Sequence, residues 1–200
     1  MTIRHWRGTT LAALLLAATL TGCASPGPTP QRYTLPETAD ATQTLAGAEA
    51  EYLLLLRPPR LAHYLDVDGL VMQVDDITLV EARGHQWAEA LGRQLERGLR
   101  ARLAARLPDT RVMLDEAGAR EPAALSLRLE LDRFQGRHDG LAVIGGQWQL
   151  RDAEGRLLAM EGLRVTAELD DDGYPALVRA LGRGWDRVAD ELAEAVRRAR

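Results

Sequence analysis

Between Ala124 and Phe134 the chain alternates without a break: Leu125, Leu127, Leu129 and Leu131 fall on one side, Ser126, Arg128, Glu130 and Asp132 on the other. Side chains of an extended chain point to opposite faces with a period of two, so this stretch is predicted to be a strand with one dry and one wet face. Such a strand needs partners beside it and an apolar layer over its dry side. Two segments with a helical period can supply that layer. From Gln86 to Leu107, apolar residues recur every four positions (Trp87, Leu91, Leu95, Leu99, Leu103, Leu107), with Arg93, Arg97, Arg100 and Arg106 among the polar positions between them and Pro108 as the stop. From about Tyr174, the residues Leu177, Val178, Leu181, Trp185, Val188, Leu192 and Val196 share one helical face.

Further strands are expected. Glu51–Arg57 is a short continuous apolar run stopped by Pro58-Pro59, as in a buried strand. Leu70–Val74 and Ile77–Val80 read as a hairpin around Asp75-Asp76, and Arg111–Leu114 as a short strand. Leu141–Arg151 and Leu157–Leu169 flank the turn Asp152-Ala153-Glu154-Gly155, with Gly145-Gly146 marking a bulge or a close backbone approach inside the first of them. These elements predict one α/β domain, with α+β also admissible: a mixed β-sheet with two main amphipathic helices packed on it. A chain of 200 residues is long enough for one such core.

The amino terminus has a different character. Arg4, His5 and Arg7 precede an apolar run, Leu11–Leu20, which at ten residues is too short to span a bilayer but matches an export signal. It ends at Leu20-Thr21-Gly22-Cys23, which contains the single cysteine of the chain. One cysteine forms no internal disulfide and no multi-cysteine zinc site. The tetrapeptide is similar to the bacterial lipoprotein signal, which implies cleavage before Cys23, diacylglycerol on its sulfur and an acyl chain such as palmitate on the new amino terminus. An ordinary signal-peptidase junction that happens to hold a cysteine is the alternative. Two acyl chains suffice for stable anchoring. In lipoproteins an aspartate directly after the cysteine retains the protein at the inner membrane; here Ala24 and Ser25 follow, which implies the outer membrane, facing the periplasm. The expected organisation is a signal peptide at 1–22, a lipidated amino terminus and Pro-rich tether at 23–50, and a periplasmic domain at 51–200. Within the tether Tyr33-Thr34-Leu35 is an apolar island that reads as a short strand. As a flexible coil the tether spans roughly 30 Å on average and at most about 90 Å extended.

Composition narrows the chemistry. All 25 basic residues are arginine, so there is no P-loop lysine, no Schiff base and no Ser-Lys dyad. Arg4 and Arg7 precede Cys23; without them 23 basic residues face 29 acidic ones, a net charge of −6 that disfavours nucleic acid. His63, His85 and His138 lack any metal-ligand spacing, and the acidic run Glu168–Gly173 departs from a calcium loop, with Pro175 following and Arg179 where a bidentate glutamate belongs. No nucleophile with an evident base appears, so neither a catalytic residue, a metal nor a cofactor is expected.

Several short motifs recur in a set order: Arg32-Tyr33-Thr34-Leu35, Leu61-Ala62-His63-Tyr64-Leu65-Asp66, Trp87-Ala88-Glu89-Ala90-Leu91, Gly146-Gln147-Trp148-Gln149-Leu150 and Tyr174-Pro175-Ala176-Leu177-Val178. In this order, after a lipoprotein signal, they resemble the PqiC-type lipoproteins, auxiliary components of ABC-type transport systems, over nearly the whole mature chain. The sequence departs from that pattern at Val67, where a basic residue is usual, and at Ala90, where proline is usual. The resemblance implies a non-enzymatic, outer-membrane-anchored subunit that works with an MCE-domain protein and ABC transporter subunits in moving lipid and supporting membrane integrity. Cys23 is then the lipidation site, and Tyr64, Leu65 and Asp66 are the candidate partner-facing residues. A homo-oligomer is left open, as are a lipid-carrying lipoprotein and a periplasmic hydrolase.

Overall fold

The alternating segment becomes the longest strand of the molecule, and the sheet is assembled along it. The computed structural model describes residues 29–37, 50–115 and 124–200; the export signal, Cys23 and residues 38–49 lie outside the described residues. Along the chain come β1 (Gln31–Tyr33), β2 (Tyr52–Leu56), β3 (Arg60–Leu61), a 3-10 turn (His63–Leu65), β4 (Gly69–Gln73) and β5 (Leu79–Trp87). Then follow α1 (Leu91–Arg106), β6 (Thr110–Leu114), β7 (Leu125–Arg137), β8 (Leu141–Arg151), β9 (Leu157–Glu168) and α2 (Tyr174–Arg198). The strands form one mixed sheet with both helices on one face, a single α/β domain as expected.

β8 pairs antiparallel along the full length of β7, and β9 pairs antiparallel with β8. The opposite edge of β7 is shared by three short parallel strands in succession: β2 beside Leu125–Leu127, β3 beside Glu130–Leu131 and β4 beside Gly136–Arg137. Pro58 and Pro59 have no N–H to give to a ladder, so the chain leaves β7 after β2 and rejoins it at Arg60. β6 extends the sheet beyond β2, while β5 and then β1 extend it beyond β4.

Register explains the core. Leu127, Leu129, Leu131 and Phe134 of β7 lie opposite Leu150, Trp148, Gly146 and Ile144 of β8, and the seven side chains other than Gly146 belong to the core beneath the helices. The period of two slips once, between Leu131 and Arg133, where Asp132 is an extra residue facing Gly145-Gly146. This is the bulge expected from the glycine pair. Gly146 has φ +150°, and a Cβ there would lie 2.0 Å from the Glu130 carbonyl oxygen, so only glycine lets the strands meet.

Every apolar residue expected on the α2 face is buried, and Trp185, with no exposed surface, sits edge-on to Phe134 at 5.9 Å between ring centroids. The helices lie side by side in the same direction, since their ion pairs advance together: Arg102 with Asp186 at 2.8 Å, Arg106 with Asp190 at 2.5 Å. One expectation is corrected. Trp87 belongs to β5 and not to a helix beginning at Gln86, because the chain stays extended there, opposite Tyr33 of β1 and with its N–H donated to the Asp68 carbonyl at 2.7 Å. Its four-residue spacing to Leu91 coincides with the helical period, and both residues reach the same core by different routes.

Candidate functional site

Residues 31–37 are where an anchor before them would meet the domain, and they are folded into it. The apolar island forms a strand two residues earlier than expected, and the chain then crosses the helix pair as a strap. Leu35 is 8 % exposed, and its N–H donates to Gln94 Oε1 at 2.9 Å. Arg102 donates from Nη2 to the Pro36 carbonyl at 2.8 Å and from Nε to Asp186 Oδ1 at 2.8 Å, so one guanidinium ties strap, α1 and α2 together. Its side chain is only 2 % exposed, a burial that a charge tolerates only when its donors are engaged. Gly182 of α2 allows the close approach, since a Cβ there would lie 2.9 Å from the Pro36 ring. Helical position was the missed signal: Gln94 is three residues beyond Leu91 and Arg102 three beyond Leu99, which places both on the apolar side of α1. At the strap's entrance, His85 stacks between Tyr33 and Tyr174, at 5.8 and 4.0 Å, and its Nδ1 lies 2.8 Å from the Tyr33 hydroxyl. Burial and the nearby Tyr174 push the Tyr33 phenol above its ordinary range.

The three residues singled out as partner-facing occupy the 3-10 turn between β3 and β4, with three different fates. Leu65 is 1 % exposed and belongs to the core, so it presents nothing to a partner; only its neighbours reach the surface. Tyr64 is half-buried, and its hydroxyl donates to the Asp132 carbonyl that the bulge frees from the ladder. The same hydroxyl lies 3.0 Å from Oε1 of Gln135, a buried amide that donates in turn to Gln73 Oε1 at 3.4 Å. Burial, then the charge of Asp132, raises the Tyr64 phenol above its ordinary value, so it stays a neutral donor at physiological pH. Asp66 alone of the three is exposed.

Two surfaces absent from the sequence reading also stand out. The tip of the β4–β5 hairpin carries Val74, Ile77, Leu79 and Val80, each more than 40 % exposed, held by Asp75 Oδ1, which accepts from the N–H groups of Ile77 and Thr78 at 2.9 and 2.6 Å. Among the described residues β9 pairs on one side only. Near its carboxyl end Arg187 and Arg183 donate to the outward carbonyls of Thr166 and Glu168 at 2.7 and 2.6 Å; near its amino end Leu157, Leu158 and Met160 are exposed beside an uncovered edge.

Of the histidines, His63 lies in the 3-10 turn and His138 between β7 and β8. Among the described residues, none of the three histidines lines the cavities at Leu55–Arg151, Arg60–Gln147 or Leu141–Arg187.

Residues 33–193 match the family model of the ABC-type transport auxiliary lipoprotein component. The chain is 31 % identical over 189 residues to the intermembrane transport lipoprotein PqiC of Escherichia coli K12, covering 94 % of this chain and 96 % of that protein, and equally so to PqiC of Shigella flexneri. Among solved structures, an uncharacterised protein 28 % identical superposes with a TM-score of 0.72, covering 84 % of this chain and 99 % of that one. A Xanthomonas campestris protein, 18 % identical, shares the fold at a TM-score of 0.60, covering 82 % of this chain and 90 % of its own.

Proposed function

This chain belongs to the ABC-type transport auxiliary lipoprotein family, and on that premise we propose that it is a non-enzymatic adaptor held at the periplasmic face of the outer membrane by acyl chains on Cys23. In this reading it docks an MCE-domain partner of an inner-membrane ABC-type system that moves lipid across the envelope.

The lipoprotein-like junction Leu20-Thr21-Gly22-Cys23 and family membership support the anchoring half, and the docked strap sets its reach. With the chain captured from Gln31 onward, eight residue steps separate Cys23 from the first docked strand. Eight residue steps reach at most about 28 Å. The domain then rides close to the membrane, and a partner reaching it from the inner membrane must cross most of the periplasm. The docking half is supported by family membership and by the exposed hairpin tip, whose ordered turn presents aliphatic side chains without a floppy loop.

Fractionation tests the anchor. The native protein is expected with the outer membrane and Cys23→Ser in the soluble periplasm; retention of Cys23→Ser in the outer membrane counts against the reading. Pull-down of the native lipoprotein from mildly solubilised envelopes is expected to recover an MCE-domain protein, with recovery falling several-fold for Ile77→Asp. Failure to recover any MCE or transporter subunit defeats the docking half.

A further inference from the structure

The sheet face turned away from the helices holds a groove that the adaptor reading leaves unused. Register determines its lining. Leu55 of β2 stands beside Ser126 of β7, which pairs with Arg151 of β8, and two residues along the ladder, on the same face, Arg128 pairs with Gln149. Arg57 follows β2 directly, with its N–H bonded to the Leu127 carbonyl, and brings a third guanidinium into the same groove. The cavity holds about 380 Å³, the size of a small-ligand site, over an apolar floor of Leu55 and Ala124.

Three cations on one patch of sheet repel one another, and such an arrangement costs stability unless something neutralises it. Among the described residues only Arg57 has a carboxylate partner, the buried Asp115 at 3.2 Å. Arg151 donates to neutral acceptors, the Gly155 carbonyl at 2.8 Å and Gln149 Oε1 at 3.2 Å, which orient its head without cancelling its charge. Arg128 makes no ion pair or side-chain hydrogen bond among the described residues. The groove's own carboxylates do little to neutralise them, because Asp152 is held by Arg156 at 2.7 Å and Glu154 lies on the exposed turn. Apolar side chains flank the charge on both sides: Met113 opposite Leu55 and Met160 opposite Gln149, 41 % and 51 % exposed.

We propose that this groove binds a phosphate group, with Arg128 and Arg151 as its forked donors and Arg57 as a supporting charge, and that the flanking methionines favour a phosphate carried by an amphiphile. Guanidinium forks match the oxygens of a phosphate, and the floor and flanks offer apolar surface where an acyl chain leaves the headgroup. The inference goes beyond the adaptor reading and is independent of it: a groove that binds nothing leaves partner recovery unchanged.

Calorimetric titration of the full lipoprotein in a non-ionic detergent tests it, using inorganic phosphate, dihexanoyl phosphatidylglycerol below its micellar concentration, and uncharged dihexanoylglycerol. The phosphorylated amphiphile is expected to bind saturably, and Arg128→Gln to weaken it about tenfold or more while the ligand-free thermal midpoint holds or rises as the repulsion is relieved; Arg151→Gln gives a second reading if the first variant folds poorly. Inorganic phosphate binding as tightly as the amphiphile supports the phosphate site and removes the acyl component. Absence of saturable binding to either phosphate, binding that ignores both substitutions, or equal binding of the uncharged diglyceride overturns the proposal.

Discussion

At Gly146 a single added carbon collides with backbone, because the Glu130 carbonyl oxygen would lie 2.0 Å away and φ is +150°. Backbone cannot step aside as a side-chain tip can, so Gly146→Ala is expected to destabilise the fold by about 2–3 kcal/mol in urea unfolding. Gly162 of the neighbouring strand, with nothing within 4 Å of an added Cβ, makes the control: its alanine variant should stay within about 0.5 kcal/mol. Glu191 of α2 is the opposite case, a surface side chain expected to work against folding when ionised. Partial burial, then the charges of Glu161 and Asp190, raises its carboxyl above the ordinary glutamate range. A carboxyl raised in the folded state opposes folding when ionised and costs nothing once protonated in both states. Glu191→Gln should therefore raise the thermal midpoint at pH 7, and the gain should vanish as pH falls through the raised value to the ordinary one. A midpoint unchanged at pH 7 would show that solvent screens the repulsion.

Among the elements, β9 is the one whose protection is divided. An open edge is a template for another strand, and long charged side chains are one device that blocks it. Arg183 and Arg187 cover the outward carbonyls of Glu168 and Thr166, whereas the half near Leu158 and Met160 is bare. Replacing both arginines by serine should leave the unfolding midpoint within a few degrees of the native one and increase concentration-dependent self-association by light scattering. An unaltered scattering profile would mean that the arginines serve α2 and not the edge. The strap is the complementary case, an element with little secondary structure of its own. Its β1 part is a three-residue strand paired on one side with β5, and its hold on the domain comes from Leu35, Gln94 and Arg102.

For the whole molecule, strap, helix pair and sheet share one apolar cluster, which includes Leu35, Leu99, Trp185 and Phe134. A single core predicts a single cooperative transition, with far-ultraviolet circular dichroism and tryptophan fluorescence coincident. Leu35→Ser should lower that transition by about 2 kcal/mol without splitting it; two separate transitions would show that the strap rests on a body stable without it. Much of this architecture was legible beforehand. Alternation from Leu125 to Leu131 and the four-residue spacing on both helices follow from the direction in which each backbone form points its side chains, so strand, helices, hairpins and the class of fold could be read locally. The glycine pair likewise announced the bulge. The order of strands along β7 was not local information, because three short segments compete for one edge and only their packing decides who takes which part. The same holds for Leu65, whose apolar character said it could be buried but not that the 3-10 turn would drive it inward while Asp66 stayed outside. Arg57, Arg128 and Arg151 are separated by 94 positions from first to last, and no spacing rule links them. Sequence by itself determined which residues could face the core. Tertiary structure alone decided which distant charges share a groove and that the chain from Gln31 onward is docked on the domain, because both depend on pairing across the sheet.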